Sequence, residues 1–380
     1  MQMRHFEVNK SDISNTRVVT SAIPSLLEGE VLTQTDRFAL TANNISYAIV
    51  GEKLGYWNFF PTEEGWGIIP VWGFAEVVES KHPEVKKGER LYGYWPMGTH
   101  LVIRPGKLRD DRLSDISEHR AALSPVYNAY IRTQGEALYE PAMDDDRMLL
   151  MPLYATSFCL YDFLQDNGNF GATQIVIPSA SSKTAIGLAY ALKDDPEALH
   201  CVGITSTGNK AKVEALGLYD HVITYDDLGA LDSSKATVIV DMSGNGDVLS
   251  DLHALLGDNM KFTSNVGLTH YDSNKMGPHF IRDRSAMFFA PGHIQKRAKE
   301  WGPGEFDKKA LNSEHHKRWQ QRAKQTKGKI CVIIAMGITG ASRGNPAPQH
   351  ILGYYEINLM DDKELGLGKL RAEPAFDFDF

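Results

Sequence analysis

Three short stretches hold the residue types that handle phosphate and ribose. The first, Pro178-Ser179-Ala180-Ser181-Ser182-Lys183-Thr184-Ala185-Ile186-Gly187, is made almost wholly of small residues and hydroxyls. A diphosphate sits at a helix N-terminus only where the backbone comes close, which Gly, Ala and Ser permit to different degrees. The hydroxyls of Ser179, Ser181, Ser182 and Thr184 can donate to phosphate oxygens, and Lys183 adds a cation. No G-x-G-x-x-G is present, and Lys183-Thr184 is like the end of a P-loop without its GxxxxG, so an ordinary serine-rich N-cap stays open as the alternative. The second stretch, Thr205-Ser206-Thr207-Gly208-Asn209-Lys210, follows Val202-Gly203-Ile204. An acid there would accept the 2′-hydroxyl of NAD, whereas hydroxyls and a cation suit the 2′-phosphate of NADP. No acid occurs between Leu199 and Glu214, so Thr205, Ser206, Thr207 and Lys210 predict NADP(H). A solvated loop with an incidental lysine is the alternative. The third set, Ser243-Gly244-Asn245-Gly246 and Asn265-Val266-Gly267-Leu268, carries glycines that let backbone approach a ligand.

These stretches do chemistry only if a scaffold gathers them. Gln174 to Ile177, Leu199 to Ile204, His221 to Thr224, Thr237 to Asp241 and Lys261 to Val266 read as strands that are apolar on both faces. Lys183 to Leu192, Asn209 to Leu216 and Val248 to Leu256 read as the helices between them. Such an alternation predicts a parallel sheet covered on both sides, with ligands at the carboxyl ends of its strands. Before it, Leu153 to Leu164 places one apolar face on a helix ending near Asn167-Gly168. The N-terminal part reads differently. Gly29 to about Val50 is expected to be extended and then turn. Ile68 to Val71, Phe74 to Val78, Leu91 to Tyr94 and His100 to Ile103 are short apolar runs separated by turns, which describes a small β-barrel or sandwich. Phe288 to Lys329 is polar and helical in tone, Lys329 to Ala335 reads as a further strand, and the final Phe-Asp-Phe-Asp-Phe has no reading from sequence.

Composition narrows the class of partner. The 380 residues suffice for two domains, with 42% apolar and 23% charged residues, as in ordinary globular proteins. The 40 Lys and Arg against 48 Asp and Glu give a net charge of −8 without a basic stripe, which favours a small-molecule partner over nucleic acid. Cys159, Cys201 and Cys331 are too far apart for a four-thiolate metal site and suit a reducing compartment. The first ten residues carry no apolar signal region and no apolar run is long enough to span a bilayer, so a cytoplasmic protein outside the membrane is expected.

Glu30 to Val50, Ile69-Pro70-Val71-Trp72-Gly73-Phe74-Ala75-Glu76-Val77-Val78 and Val85-Lys86-Lys87-Gly88-Glu89-Arg90-Leu91-Tyr92-Gly93-Tyr94 resemble the catalytic domain of medium-chain dehydrogenase/reductases. Met151 to Leu164, Ile175 to Leu192, Gly203 to Gly217, Asp220 to Tyr225, Val240 to Gly246 and Lys261 to Gly267 follow that superfamily's cofactor domain in order. The zinc-free, quinone-oxidoreductase-like branch is the most similar. Ser179-Ala180-Ser181-Ser182-Lys183-Thr184-Ala185 with Phe288-Phe289-Ala290-Pro291-Gly292 resembles the DUF2855 family. The resemblance implies an α/β fold: a Rossmann doubly wound sheet over residues 126–289 and a GroES-like β-rich catalytic domain over residues 1–125, to which 290–380 returns. The active site would lie in the cleft they form, and a homodimer is compatible with such an enzyme.

The departures from the family carry information too. Zinc-dependent relatives place Gly-His-Glu where this chain has Val71 to Glu76, and an early cysteine where this chain has none before Cys159, so no ligand set for a catalytic zinc is expected. The adjacent His315 and His316 would point to different faces of a helix. Without zinc, the natural chemistry is NADPH-dependent reduction of an activated double bond or a quinone-like acceptor, with a phenol as proton donor. Asn43-Asn44-Ile45-Ser46-Tyr47 occupies the place of the family's Asn-x-x-Asp, and Gly55-Tyr56-Trp57 lies near the tyrosine of the enoyl reductases. The resemblance thus offers Asn44, Tyr47 and Tyr56 as pocket residues. Aromatic packing is the alternative for each tyrosine. A catalytically idle NADP-binding sensor is the alternative for the chain, and a nucleotide kinase built on Lys183-Thr184 is a further one.

Overall fold

The computed structural model describes residues 2–40, 42–136, 139–267, 276–302, 304–310, 329–332 and 355–358. Leu268, His315, His316, 333–335 of the expected last strand and everything after Gly340 other than 355–358 lie outside the described residues. Two units emerge: Met1–Leu149 with Lys327–Phe380, and Leu150–Thr326. The break thus falls at Leu149 rather than at the expected 125, and the described residues 290–302 and 304–310 group with the parallel sheet.

The first unit opens with a hairpin that the sequence reading passed over, β1 (Gln2–Asn9) against β2 (Asp12–Ala22), with β4 (Trp66–Gly67) on the other edge of β1. Its main sheet runs through β3 (Val31–Ala39), β5 (Pro70–Ser80), β6 (Arg90–Pro96), β7 (His100–Ile103), β8 (Pro105–Gly106), β9 (Arg112–Asp115) and β10 (Ala129–Arg132), in the order β7-β3-β5-β6-β10-β9-β8. All its pairings are antiparallel. This is the barrel-like architecture expected from the short apolar runs. Two local expectations are corrected. Ile68 to Val71 and Phe74 to Val78 are not separate strands, because Trp72 and Gly73 continue the ladder within β5 and pair with Tyr94 and Gly93. The stretch before Val50 is not extended throughout, because α1 (Ala42–Ile49) and the short α2 (Gly51–Leu54) follow β3. The mixed polar and apolar order of 42–49 shows no clean alternation. Its helix is held by tertiary contact, with the Asn44 amide donating to the Pro70 carbonyl at 2.8 Å.

A buried ion pair braces the first unit. Asp115 lies 3.2 Å from Arg120 Nε, both side chains are 1% exposed, and the guanidinium also donates to the Tyr130 hydroxyl at 3.0 Å and lies 5.0 Å from the Phe60 ring centroid.

The second unit begins in α3 (Asp144–Asp166), which crosses the boundary between the two units and carries Pro152 inside it. Its sheet consists of β11 (Gln174–Pro178), β12 (His200–Thr205), β13 (His221–Thr224), β14 (Thr237–Asp241), β15 (Met260–Asn265) and β16 (Ser285–Met287). The spatial order is β13-β12-β11-β14-β15-β16 and every pair is parallel. That is the 3-2-1-4-5-6 order of doubly wound dinucleotide folds. The connecting helices are α4 (Lys183–Lys193), α5 (Lys210–Glu214) and α6 (Gly246–Leu256), and α7 (Ala290–Trp301) and α8 (Glu305–Ala310) follow the sheet.

His253 on α6 gives this unit a pH-dependent stability. Its ring is 1% exposed and stacks on Phe280; Nδ1 accepts from the Ile281 N–H at 2.9 Å, so Nε2 carries the proton that it donates to Thr263 Oγ1. Burial, then the charge of Arg284, brings its pKa down to about 4. A lowered imidazole pKa means that the unfolded chain takes up the proton first. Stability is therefore complete above the ordinary value near 6.5 and is lost as pH falls toward 4, by roughly 3 kcal/mol in all. Urea unfolding at pH 7.5 and pH 4.5 is expected to show that loss in the wild type and a flatter dependence in His253→Gln. Equal pH dependence in the two proteins would refute the assignment.

Candidate active site

The phosphate-type turn after β11 is built from side chains and strain together. Ser179 sits in the left-handed region at φ 60°, an uncommon place for a residue with a Cβ, and its N–H donates to the Tyr225 hydroxyl at 2.8 Å. Ala180 is buried, with its N–H on the Ile204 carbonyl and its own carbonyl accepting from Tyr219. Ser181 is exposed. Ser182 is the N-cap of α4, its hydroxyl accepting from the Ala185 N–H at 3.3 Å, so the N-cap reading of the sequence is correct for this serine. Lys183 and Thr184 form the first turn of α4, and the Thr184 carbonyl accepts from Ser157 of α3. Gly203 lets strand and turn meet: a Cβ there would lie 2.9 Å from that of Ala180 and 2.8 Å from the Tyr219 ring.

At the end of β12 the four predicted residues separate. Thr205 is buried in the strand, whereas Ser206, Thr207 and Lys210 lie at the surface end of the loop. Lys210 stands 4.0 Å from Glu214, one helical turn on. Thr207 donates to Asp226 at 2.8 Å. The sequence reading looked for an acid within this loop and found none; Asp226 comes to it from beyond β13, as Tyr225 comes to the neighbouring turn. Residues so remote in sequence give no local signal.

The other two turns are tied to each other through Asp241, the buried last residue of β14. Its carboxylate accepts from the Ser243 N–H at 2.9 Å, the Ser243 hydroxyl at 2.6 Å and the Gly244 N–H at 2.8 Å. Its carbonyl accepts from the N–H groups of Val266 and Gly267. Gly267 is required here, since a Cβ would fall 1.8 Å from the Met242 carbonyl oxygen. At the same strand end the Asn265 side-chain oxygen and the Ser264 hydroxyl are buried without a hydrogen-bond partner among the described residues. Buried polar atoms left so are costly unless something polar reaches them. The strained serine, the helix start and these two unsatisfied oxygens fit a bound dinucleotide.

Two of the predicted pocket residues of the first unit, Tyr47 and Tyr56, come together. Tyr47, one turn after Asn43 on α1, accepts at its hydroxyl from Asn43 Nδ2 at 2.8 Å and from Trp72 Nε1 of β5 at 3.1 Å. Tyr56 opens a 3-10 turn just after Gly55, whose φ of 75° reverses the chain out of α2. The Tyr47 and Tyr56 ring centroids are 4.7 Å apart. Beside them the structure places a residue the sequence did not single out. Tyr127, in the 3-10 turn Pro125–Asn128, lies with its hydroxyl 3.0 Å from that of Tyr56 and its ring edge-on to that of Tyr47, centroids 6.2 Å apart. Tyr94, paired with Trp72 across β5 and β6, packs on Tyr127 at 4.5 Å. Burial raises the phenols of Tyr47, Tyr56, Tyr94 and Tyr127 above the ordinary value, which keeps them protonated. Asn44 does not join this set: its amide is spent on Pro70 and positions α1.

Among the described residues no three His, Cys, Asp or Glu side chains cluster as a metal site, and no helix is long and apolar enough to cross a membrane.

The structure is similar to that of CurA from Vibrio vulnificus, also determined with NADPH, at a TM-score of 0.54 and 14% identity over 85% of this chain and 88% of that one. It is similar to an Etr1p mutant in complex with NADP and crotonyl-CoA (TM-score 0.51, 11% identity, 85% and 89% covered) and to the CurK enoyl reductase (0.50, 12%, 84% and 89%). These likenesses show that the chain shares the fold of those proteins. No curated protein matches the sequence. The model of the family described as "Protein of unknown function (DUF2855)" matches residues 38–343, a span that takes in the phenol cluster and all three cofactor-type turns, and the chain belongs to that family.

Proposed function

We propose that the chain is a zinc-independent, NADPH-dependent oxidoreductase that reduces a carbonyl-conjugated double bond or a quinone-like acceptor. The observation that carries this reading is the cluster of buried, protonated phenols at Tyr47, Tyr56 and Tyr127, in a protein whose other unit has the 3-2-1-4-5-6 dinucleotide sheet. Ser179, Ser181, Ser182, Lys183 and Thr184 would hold the diphosphate. Ser206, Thr207 and Lys210 would meet the adenosine ribose, and Ser243, Gly244, Asn265, Val266 and Gly267 the nicotinamide end. When bound, NADPH supplies a hydride to the β-carbon of the acceptor. Tyr56 gives the proton to the α-carbon or to the developing enolate oxygen. The ligands named for CurA and Etr1p support the reading through the shared fold.

Lys210, half-buried and 4.0 Å from Glu214, is the cation of this loop that would meet a 2′-phosphate. Lys210→Ala is expected to weaken NADPH binding by roughly 1 to 3 kcal/mol and leave NADH nearly unchanged, as measured by calorimetry. Tighter binding of NADH than NADPH to the unaltered protein would reject the assignment. Exhaustive chelation is expected to leave fold and turnover intact, and stoichiometric zinc lost together with activity would contradict that. NADPH binding with no turnover on any enone or quinone would favour the sensor reading.

A further inference from the structure

The loop after β12 holds no acid of its own, yet the sheet delivers one to it. β12 and β13 run parallel, and their ladder ends at the pair Thr205 and Thr224. Two residues further along each chain stand Thr207 and Asp226, and the Thr207 hydroxyl donates to Asp226 Oδ2 at 2.8 Å. Strand register thus places the carboxylate, and the following turn holds it. Asp226 is the second residue of the 3-10 turn Tyr225–Ala230, whose first residue accepts at its hydroxyl from the Ser179 N–H at 2.8 Å. The acid is tied to the β12 loop by its own side chain and to the diphosphate-type turn through its neighbour. At the other end of the loop Lys210 already stands 4.0 Å from Glu214, so each polar end of the loop has a carboxylate beside it.

We propose that Asp226 is the specificity-determining acid of the coenzyme site: its carboxylate opposes the 2′-phosphate of NADPH and narrows that coenzyme's advantage over NADH. The proposal rests on the reading in which the β12 loop meets the adenosine ribose. In doubly wound folds an acid near the end of the second strand favours the ribose 2′-hydroxyl, and a cation there favours the phosphate. Here both kinds are present, Lys210 from within the loop and Asp226 from beyond β13. A 2′-phosphate carries about 1.5 to 2 negative charges at neutral pH and offers acceptor oxygens, as an ionised carboxylate does. The two groups share no proton and repel. A ribose hydroxyl has a proton to donate, and after Thr207 has taken one acceptor site the carboxylate keeps others for it. Asp226 and Thr207 are exposed, so the repulsion is moderate and depends on salt.

Calorimetry with 2′,5′-ADP and 5′-AMP reads this without turnover, because the two probes differ only by the 2′-phosphate. Asp226→Asn keeps an oxygen for the Thr207 hydroxyl and removes the charge. It is expected to tighten 2′,5′-ADP by roughly 3- to 10-fold at low salt, the scale of one solvent-screened charge contact, and to leave 5′-AMP no tighter. At about 1 M salt, where the Debye length is about 3 Å, that gain should largely vanish. Asp227→Asn removes the same charge from the next residue, also exposed, and is expected to give the smaller gain. No tightening by Asp226→Asn, or equal tightening by the two Asn variants, overturns the proposal and leaves the NADPH reading standing if the unaltered protein prefers 2′,5′-ADP. An unaltered protein that prefers 5′-AMP strikes the NADPH reading, and a selective gain of 2′,5′-ADP binding in Asp226→Asn upholds the proposal all the same. Binding of neither probe by any of the three proteins overturns both.

Discussion

Tyr56→Phe is expected to lower turnover by roughly 10² to 10⁴-fold, the usual worth of a positioned general acid, with little change in NADPH affinity. The ring stays, so its packing on Tyr47 and Phe59 survives and only the hydroxyl is lost. Burial, reinforced by the proximity of Tyr47, raises this phenol's pKa, and the hydrogen bond with Tyr127 offsets part of the rise. A raised pKa keeps the donor protonated as pH increases, so wild-type kcat should not fall through loss of this proton between neutral pH and the ordinary phenol value near 10. Steady-state kinetics on a panel of enones and quinones checks both statements. Full turnover by Tyr56→Phe on every acceptor the wild type reduces would remove Tyr56 from the mechanism.

The largest stability effect is expected at Asp115. Besides facing Arg120, its carboxylate accepts from the Arg104 N–H at 3.1 Å, the Ser117 N–H at 3.0 Å and the Ser117 hydroxyl at 2.6 Å. Asp115→Ala removes these bonds and leaves a guanidinium, 1% exposed, with no counter-charge. Truncating one partner of a buried pair costs about 3 to 5 kcal/mol, most of it the penalty on the charge left behind. Combining Asp115→Asn with Arg120→Met takes both charges away and should cost less than the single alanine change. Urea denaturation of the variants tests the ordering. A loss below about 1 kcal/mol for Asp115→Ala, the scale of an exposed pair, would show that this pair is solvated in solution.

How far the site was legible varies residue by residue. The serine-rich turn and the loop at Thr205 to Lys210 were visible because a β-strand followed by small residues and a helix is a local pattern, and backbone geometry there follows from neighbours in sequence. Residues 42–49 were misread as continuing an extended segment. Their side-chain order favours neither period, and the helix depends on Asn44 meeting the Pro70 carbonyl. Tyr127 was missed for a related reason: nothing around Pro125 to Asn128 marks it as chemical until Tyr56 is brought to its hydroxyl and Tyr47 to its ring. Asp226 and Tyr225 likewise act on turns that begin at residues 205 and 178.

The strand and helix succession of the second unit, the antiparallel barrel of the first and the absence of an acid within the β12 loop were thus determined by the sequence alone. Each depends on hydrophobic period, turn residues or residue type over a few neighbouring positions. Only the tertiary structure decided that Asp226 meets Thr207, that Asp115 and Arg120 are buried as a pair, and that the phenols of Tyr47, Tyr56 and Tyr127 pack together. Those facts depend on which distant groups share a few ångströms of space.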